Sequence, residues 1–587
     1  MNSRLLRFAP LFIFAIALAL RLVGLRWGLP TSDRWYSYHP DELQTVAAVA
    51  NLDFFSGDFN PNFFNYPSAF LYATYLVHTI AGGFGWLQEI SKTNAMWALP
   101  HDIIWCARLV SAVLGALTAS VVFLLAREVF GRDENRDHEN RDDFDRERHG
   151  DFSYENRDDS ARNVSALWPI VAGLLCALAP AHVQHSHFAT VDIAATFWVA
   201  LCLWLSCRAL NSNSKRDLLL AGLCAGIGAA TKYNVVIVLV APLVAALYIE
   251  YSMLRKIKVL SGVFAVAIGG FLLGCPFSVL APREFWGDGV NTGFAYELLV
   301  HPRQGSGDLF AQTGNGWLYH ATFNLPFALT APFAIAAFLG LLLSIEGLIK
   351  ARKIGIGGGR VVMPILAFSL LYFAAIGTSQ VRFMRYTLLL LPTFAIFAAL
   401  FARAFVEAFQ TKSRFTKLSI ATILPAFCAL GTLNILSPLT QTDARDAAKN
   451  DLDAQNFAPP IAVGLADAQN PLWFTTPPLW PQDTPPGSGR NLANVQRNAR
   501  YDLRPLGIDA AKLESEKPQF FVWSEFQWRE GERLNSADVR KLREALKIEY
   551  SMRAFHNAVP LELPGRNYVP HDFLYTNPRV EVWTRKE

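Results

Sequence analysis

The chain has 587 residues, of which 52% are hydrophobic and only 17% are charged. An ordinary soluble domain carries about 25% charged residues, and several apolar runs approach the roughly 20 residues that cross a bilayer. The composition therefore predicts a mainly α-helical, polytopic membrane protein. The net charge is +4, and no basic patch interleaves with aromatic residues, which argues against a nucleic-acid-binding role.

The first apolar segment is predicted to form a helix over residues 8–29. Arg4 and Arg7 precede it and hold its start on the inner side of the membrane. A cleaved signal peptide is the alternative, because a short apolar run follows these arginines. Arg21 comes next without a small-residue cleavage site after it, which favours an uncleaved helix.

An outer loop is predicted over residues 30–103, and it contains the motif His39-Pro40-Asp41-Glu42. Two adjacent carboxylates at the edge of a membrane helix are costly, and such groups tend to mark function. A second apolar stretch, at residues 66–87, is interrupted by glycines. We predict that it forms a helix lying in the outer interface and does not cross the membrane.

The later apolar runs alternate with short loops rich in Lys and Arg. They predict spans at residues 104–130, 167–181, 193–210, 218–231, 235–251, 259–280, 323–349, 362–377, 386–405 and 418–436. Every short basic loop then falls on one side, as the positive-inside rule requires. The total is about eleven spans, with a second outer loop at residues 282–320, in a cell (inner or plasma) membrane.

The segment at residues 131–163 is highly charged, and Glu-Asn-Arg-Asp occurs in it three times, from Glu134, Glu139 and Glu155. Such a composition cannot bury a core. We predict a disordered cytoplasmic loop, a solvated linker that carries no chemistry.

The polar part at residues 438–587 is predicted to form a small extracytoplasmic α/β domain after a transmembrane module of residues 1–437. Its patterns indicate helices at residues 443–452 and 536–548 and strands at residues 520–523 and 580–583. All seven cysteines lie in apolar segments, so this domain has no disulfide framework. No Cys or His spacing resembles a structural zinc site.

On this topology the unusual polar residues converge on the outer face of the membrane. The candidates are Asp41, Glu42, Arg108, His187, Asp192, Lys232, His301, Arg382, Arg385 and Tyr386, with His182 and His185 beside them. Carboxylates, histidines and cations gathered at one membrane face indicate a site for an anionic substrate.

Each candidate also has a simpler interpretation. Asp41 and Glu42 suit the N-terminus of a helix that begins after Pro40. The arginines fit as anchors whose charged ends reach the interface. His182 and His185 fit as interfacial residues, whereas His187 and Asp192 are better candidates because they flank the turn itself. Lys232 fits as a contact for lipid phosphate.

The outward placement of the site decides which donor it can use. No GxGxxG or GxxxxGK[ST] motif occurs in a cytosolic segment, and an outward-facing transferase cannot draw on cytosolic nucleotide sugars. It needs a donor that is carried through the membrane on a lipid. A carboxylate then deprotonates the acceptor hydroxyl, and cations such as Arg385 or Lys232 stabilise the departing phosphate. One base and one displacement predict inversion at the anomeric centre.

These motifs resemble those of GT-C glycosyltransferases that use lipid-linked sugars. The resemblance is to bacterial relatives of dolichyl-phosphate-mannose–protein mannosyltransferase (family 39) and of aminoarabinose lipid A transferase (family 83). It rests on Gly28-Leu29-Pro30, His39-Pro40-Asp41-Glu42, Asn65-Tyr66-Pro67-Ser68, the run from His187 to Asp192, Thr231-Lys232-Tyr233 and Arg385-Tyr386. The likeness covers the membrane region, to about Leu436.

The resemblance implies a polyprenyl-phosphate sugar donor and a protein, lipid or glycan acceptor. Asp41 matches the family's catalytic base, and Glu42 would support the acceptor or a cation. Asp192 matches a second acidic position, Lys232 and Arg385 match phosphate-binding positions, and the other candidates, with His39 and Tyr66, would line the substrate site. Two features depart from the family: the insertion at residues 131–163, and Asn65 where a basic residue is common. Some relatives need a divalent metal ion and others do not, so a metal stays an open possibility here.

Two other function classes compete with a transferase. A transporter or flippase of a lipid-linked substrate shows paired repeats and charges near the bilayer midplane, whereas this chain shows no repeat and its charges lie at one face. A non-catalytic subunit of a membrane complex is the third option. The presence of Asp41, Asp192 and Lys232 weighs against it.

Overall fold

The computed structural model describes residues 7–87, 97–131, 167–304, 306–354, 357–409, 413–467, 474–479, 500–560 and 569–587. Apart from Gly131, the predicted cytoplasmic loop at residues 131–163 lies outside the described residues. Helices dominate the chain as far as Leu439, and the strands that form a sheet all follow it.

The long helices of the first part carry the apolar sequence. They are Ala9–Leu22, Ala98–Phe130, Leu167–Ala177, Asp192–Ser212, Lys215–Ala229, Val240–Tyr248, Met253–Gly274, Ala331–Ile354, Met363–Gly377, Leu391–Ala408 and Arg414–Leu439. Three of them continue from 3₁₀ segments, which are Tyr233–Leu239, Gly357–Val362 and Met384–Leu390. Among the described residues, seven helical stretches are long and apolar enough to cross a membrane. The other predicted spans coincide with shorter helices, which confirms a polytopic, mainly α-helical membrane fold.

The first helix is shorter than predicted, because it ends at Leu22 rather than at residue 29. The chain turns at Gly24, whose φ of +76° suits glycine, and a Cβ there would lie 2.7 Å from the Cβ of Leu439. The close approach of the last long helix therefore sets the turn. The segment predicted at residues 66–87 is a helix over Ala69–Gly83.

One apolar core joins the long helices. It is built largely of alanine, leucine and valine, and much of it comes from Ala98–Phe130, Leu167–Ala177, Asp192–Ser212 and Leu391–Ala408. Small residues let these helices approach closely, as is common in membrane proteins. At Gly340, for example, an added Cβ would lie 1.8 Å from the carbonyl oxygen of Phe397.

Short helices fill the segments that connect the long ones. They are Glu42–Ala50, Pro180–His185, Phe277–Leu280, Pro282–Trp286, Gly293–Ala295, Tyr296–Val300, His301–Gln304, Gly307–Phe310, Gly316–Tyr319, His320–Asn324, Leu325–Leu329 and Gly357–Val362. Most belong to the two long loops, residues 30–103 and 282–320, that were predicted to share one side of the membrane.

The C-terminal part contains a five-stranded sheet with helices around it. Its strands are β1 (Ile461–Leu465), β2 (Tyr501–Pro505), β3 (Phe520–Ser524), β4 (Tyr550–Phe555) and β5 (Val580–Arg585), in the order β2-β1-β3-β5-β4. Strand β1 pairs in parallel with β2 and β3, whereas β5 pairs antiparallel with β3 and β4. The helices are Ala444–Asp453, Ala510–Glu516, Glu525–Arg533, Ala537–Glu549 and His571–Leu574. The predicted α/β character of this part is confirmed, with three strands more than predicted.

One apolar cluster lies within the C-terminal domain itself, and a second joins its sheet to the helical part. Trp27, Tyr38 and Phe188, which belong to the helical part, share one apolar cluster with Ile461 and Val582 of the sheet. The hydroxyl of Tyr38 also donates to Asp446 in the first C-terminal helix. These contacts hold the C-terminal domain against the end of the helices at which the loop 30–103 lies.

Candidate functional site

Asp41 stands immediately before the helix Glu42–Ala50, at its N-cap position, yet its side chain makes no capping hydrogen bond. Its Oδ2 lies 3.2 Å from Nη2 of Arg385, and the Asp41 side chain is 19% exposed. A capping role would direct the carboxylate to the amides of its own helix. The structure directs it instead to a cation that is 344 positions further along the chain.

Glu42 points away from Asp41, into the protein. Its carboxylate takes two hydrogen bonds from Arg108, at 2.7 and 2.8 Å, and a third from the backbone N–H of Ala189 at 2.7 Å. Both side chains of the pair are fully buried, so Arg108 is not a lipid-facing anchor. Burial would raise the pKa of Glu42, but the Arg108 guanidinium outweighs it, and the pKa of Glu42 is lowered.

The second guanidinium edge of Arg108 completes this network. Its Nη1 donates to the carbonyl oxygens of Leu25 and Trp27, at 3.0 and 2.5 Å. The pair therefore ties the end of the first helix to the second long helix and to the turn at Ala189. This arrangement fixes the backbone that carries Asp41.

Arg385 lies between two carboxylates. Its Nη2 faces Asp41, and its Nη1 donates to Oδ1 of Asp572 at 3.1 Å. The guanidinium also lies over the ring of Phe383, with its Cζ 3.9 Å from the ring centroid. With a side-chain exposure of only 10%, Arg385 is held inside the protein and not at a lipid surface.

A second ion pair joins the other predicted cation and acid. Nζ of Lys232 lies 2.6 Å from Oδ1 of Asp192 and 5.0 Å from the ring centroid of Tyr386. The Tyr386 hydroxyl lies 3.5 Å from Nε2 of His301. Because Tyr386 follows Arg385 directly, the two ion pairs and His301 form one site, and the structure brings these predicted residues together.

Three of the predicted residues make their contacts elsewhere. Arg382 donates to the hydroxyl of Thr313 and the carbonyl oxygen of Gly314, at 2.7 and 2.8 Å, and so anchors the loop 282–320. Both ring nitrogens of His187 lie 2.8 Å from backbone carbonyl oxygens, those of Val183 and Val23. His187 thus braces the turn against the end of the first helix. Its neighbour His182 is bound in the same region, where its Nδ1 lies 2.7 Å from Nη2 of Arg21.

His39 is buried between two aromatic rings. Its ring centroid lies 4.3 Å from that of Phe188 and 4.4 Å from that of Tyr575. Neither ring nitrogen has a hydrogen-bond partner among the described residues. Burial lowers the pKa of His39 well below its usual range, so the ring is a neutral spacer that packs the motif against the C-terminal domain.

Two acidic residues of the site were not singled out by the sequence. Asp572 comes from the C-terminal domain, 187 positions from Arg385, and no local motif marks it. Glu297 comes from the loop 282–320, where only His301 was selected. Burial raises the pKa of Glu297 to about 7, opposed by the charge of Lys232 and by a hydrogen bond from Asn65. Near neutral pH this carboxyl therefore exists in both protonation states.

Tyr66 belongs to the same side of the site. Burial raises the pKa of its phenol well above the usual value, and the nearby charges of Asp41 and Glu297 raise it further. Tyr66 is thus a neutral hydroxyl close to both acids. Asn65, where the resemblance leads one to expect a basic residue, instead donates to the carbonyl oxygen of Asn291 at 3.1 Å and accepts from the N–H of Gly293 at 2.9 Å.

The donor set does not fit a bound metal ion. Nowhere in the part of the chain that the structure describes do three His, Cys, Asp or Glu side chains come together to hold one. Asp41 and Asp192 each face a cationic side chain.

Comparison with known proteins bears on the part of the site that contains Asp192 and Lys232. Residues 162–274 match the family model of dolichyl-phosphate-mannose-protein mannosyltransferase. The predicted resemblance to GT-C glycosyltransferases is confirmed. No curated protein matches the sequence of the whole chain at a significant level.

Matches among solved structures include an ArnT, an oligosaccharyltransferase and a protein O-mannosyltransferase complex. ArnT from Cupriavidus metallidurans, bound to undecaprenyl phosphate, is 15% identical, with a TM-score of 0.46 and 97% of each chain covered. The oligosaccharyltransferase of Archaeoglobus fulgidus in its apo form is 14% identical, with a TM-score of 0.44, 95% of this chain covered and 75% of the other. The protein O-mannosyltransferase Pmt1–Pmt2 complex of S. cerevisiae, bound to its sugar donor, is 14% identical, with a TM-score of 0.32 and 48% and 34% covered.

Proposed function

We propose that this protein is an integral membrane glycosyltransferase that takes a sugar from a polyprenyl-phosphate donor and transfers it to an acceptor hydroxyl on the outer face of the membrane. The observation that carries the proposal is the ion pair of Asp41 with Arg385, 3.2 Å apart. It places a carboxylate that can accept a proton beside a cation that can bind a phosphate. The family match over residues 162–274 supports the same class of reaction.

In the proposed reaction the acceptor oxygen attacks the anomeric carbon and forms the new glycosidic bond. The bond from this carbon to the phosphate oxygen breaks, and polyprenyl phosphate departs with the electron pair. Asp41 takes the proton of the acceptor hydroxyl. Arg385 and Lys232 stabilise the charge that develops on the departing phosphate. A single displacement inverts the anomeric centre.

The transfer is tested with purified protein in detergent, a panel of polyprenyl-phosphate sugars and a cell-envelope extract that supplies protein, lipid and glycan acceptors. We expect release of free polyprenyl phosphate, and an inverted anomer in the product. Mass spectrometry of cell-envelope glycans in a deletion strain then identifies the sugar and shows whether the acceptor is a protein, a lipid or a glycan. Failure to consume any lipid-linked sugar while these glycans also stay unchanged would contradict the proposed function.

We also propose that the site and the C-terminal domain face the outside of the cell. Phe55 in the loop 30–103 and Ile548 in the C-terminal domain are 85% and 74% exposed. The native cysteines are buried, so cysteines introduced at these two positions are the labelled sites. We expect a membrane-impermeant maleimide to label Phe55→Cys and Ile548→Cys in intact cells, and Lys215→Cys only after lysis. The reverse pattern would place the site inside.

The titration of Glu297 predicts a pH-dependent affinity for the donor. Because its pKa is raised to about 7, Glu297 is mostly neutral at pH 6 and mostly anionic at pH 8. The anionic form competes with the donor phosphate for Lys232, and it adds negative charge beside Asp41. We expect the KM for the donor to rise by roughly fivefold from pH 6 to pH 8, and Glu297→Gln to flatten this rise.

Two features make this pH profile specific. Burial lowers the pKa of His301 from its usual value, which favours the neutral form of this neighbour. Glu284→Gln is the matched control, because Glu284 is an exposed carboxylate of the same loop, bound to Asn60. Equal profiles for the wild type and Glu297→Gln would show that Glu297 does not control donor binding.

A further inference from the structure

The C-terminal domain contributes a charged side chain to the site. Its short helix His571–Leu574 carries Asp572, whose side chain is fully buried. Oδ1 of Asp572 accepts from Nη1 of Arg385 at 3.1 Å. A buried carboxylate is costly unless it is paired and hydrogen-bonded, so its placement here needs an explanation.

Three further contacts hold Asp572 in place beside Arg385. Its Oδ2 accepts from the backbone N–H of Met384, the residue before Arg385, at 2.8 Å. The side chain of Gln184 donates to its backbone carbonyl oxygen at 2.8 Å, and Nε2 of His185 lies 3.6 Å from Oδ1. The Asp572 carboxylate thus binds both the backbone N–H of Met384 and the side chain of Arg385, which lie in the same 3₁₀ segment.

A guanidinium presents its donors along separate edges of a rigid plane. In Arg385 Nη1 is bound by Asp572, and Nη2 faces Asp41. If Asp572 were lost, Asp41 would be the one carboxylate left within ion-pair distance of this cation among the described residues. Asp41, the proposed base, would then stay in an ion pair with Arg385, the cation that is proposed to bind the phosphate.

We propose that Asp572 is a positioning residue: it holds Nη1 of Arg385 so that Nη2 can exchange Asp41 for the phosphate of the lipid-linked donor. This inference rests on the proposed function. It gives the C-terminal domain a part in donor binding through Arg385, because the domain supplies the second counter-ion of the phosphate-binding cation.

A double-mutant cycle tests this role in the purified full-length protein. Affinity is measured for undecaprenyl phosphate and for undecaprenol, which lacks the phosphate. The affinity for undecaprenyl phosphate divided by that for undecaprenol reports the phosphate contact alone. We expect Asp572→Asn and Arg385→Gln each to lower this ratio by on the order of tenfold or more. Because Asp572 acts through Arg385, the double variant is expected to lose no more than Arg385→Gln alone.

The matched control is Arg533→Gln. Arg533 donates to the carbonyl oxygens of Ala311 and Asp308, at 2.7 and 2.8 Å, so it also joins the C-terminal domain to the helical part. It does so on the surface, without contacting Arg385, and we expect the affinity ratio to stay at the wild-type value. If Asp572→Asn does not fold, the same cycle is run with Asp572→Glu, whose longer carboxylate displaces the guanidinium.

The outcomes separate the two proposals. The positioning role would be overturned if the losses of the two single variants multiplied in the double variant. It would also be overturned if the folded Asp572 variant kept the wild-type ratio. In both cases the proposed donor class would stand. If the wild type itself binds undecaprenyl phosphate no better than undecaprenol, the proposed donor class fails, and the role of Asp572 fails with it.

Discussion

Asp41→Asn is expected to abolish sugar transfer while leaving the fold and the binding of the donor intact. The amide keeps the size of the side chain but cannot accept the proton of the acceptor hydroxyl. Loss of a general base lowers kcat by about 10²- to 10⁴-fold. Turnover of a polyprenyl-phosphate sugar by the purified variant is the measurement.

The ion pair with Arg385 makes a second result specific to this variant. Asp41 lies 3.2 Å from Arg385, and it therefore competes with the donor phosphate for this cation. We expect Asp41→Asn to bind polyprenyl phosphate at least as tightly as the wild type, so that kcat falls and affinity does not. Wild-type turnover in this variant would refute the assignment of Asp41 as the base.

Asp58→Asn provides the matched control for Asp41→Asn. Asp58 is an exposed carboxylate of the same loop, and its Oδ1 accepts from the backbone N–H of Asn60 at 3.1 Å. An amide oxygen can accept the same bond. Among the described residues Asp58 makes no contact with the ion pairs of the site, so we expect its replacement to leave turnover and affinity unchanged.

The helical part of the fold could be predicted because its signals are local. Apolar runs and basic loops are properties of single segments, and they predicted the long helices. The observed bounds differ from the predicted ones mainly where long-range packing intervenes, as at Gly24 beside Leu439. The C-terminal sheet was harder to predict. Strands β1 and β2 pair in parallel although 35 positions separate them between Leu465 and Tyr501, and no local pattern encodes such a pairing.

The same distinction applies to the site. Asp41, Asp192, Lys232 and Arg385 stand in short motifs, and the structure brings them together as two ion pairs. Asp572 stands in no motif, because its role exists only once a distant domain has docked. Signals of this kind follow from tertiary contacts and not from neighbouring residues.

Asp41 and Glu42 are neighbours in the sequence, but their side chains face different partners. Successive residues of a helix point about 100° apart around its axis, so two neighbouring carboxylates at a helix start cannot face the same partner. Asp41 faces Arg385, whereas Glu42 faces Arg108. We therefore propose that Glu42, predicted to be catalytic, acts by holding the backbone that presents Asp41.

Glu42→Gln should consequently cost stability more than turnover. The variant leaves the buried Arg108 guanidinium without its counter-ion, and breaking one partner of a buried pair costs about 3–5 kcal/mol. Unfolding in detergent measures the loss. In Glu407→Gln, which breaks an exposed pair with Arg403 one helical turn away, the loss should be only about 0.3–0.5 kcal/mol.

The pH dependence of stability gives an independent check on Glu42. Because its pKa in the folded protein is lowered from the usual 4.5, the pair stabilises the fold above that pH. This stabilisation is lost as the pH falls through the lowered value, since the carboxylate is then protonated. We expect the wild type to lose stability on acidification and the stability of Glu42→Gln to change less. A stable Glu42→Gln protein with no turnover would instead make Glu42 a second catalytic group beside Asp41.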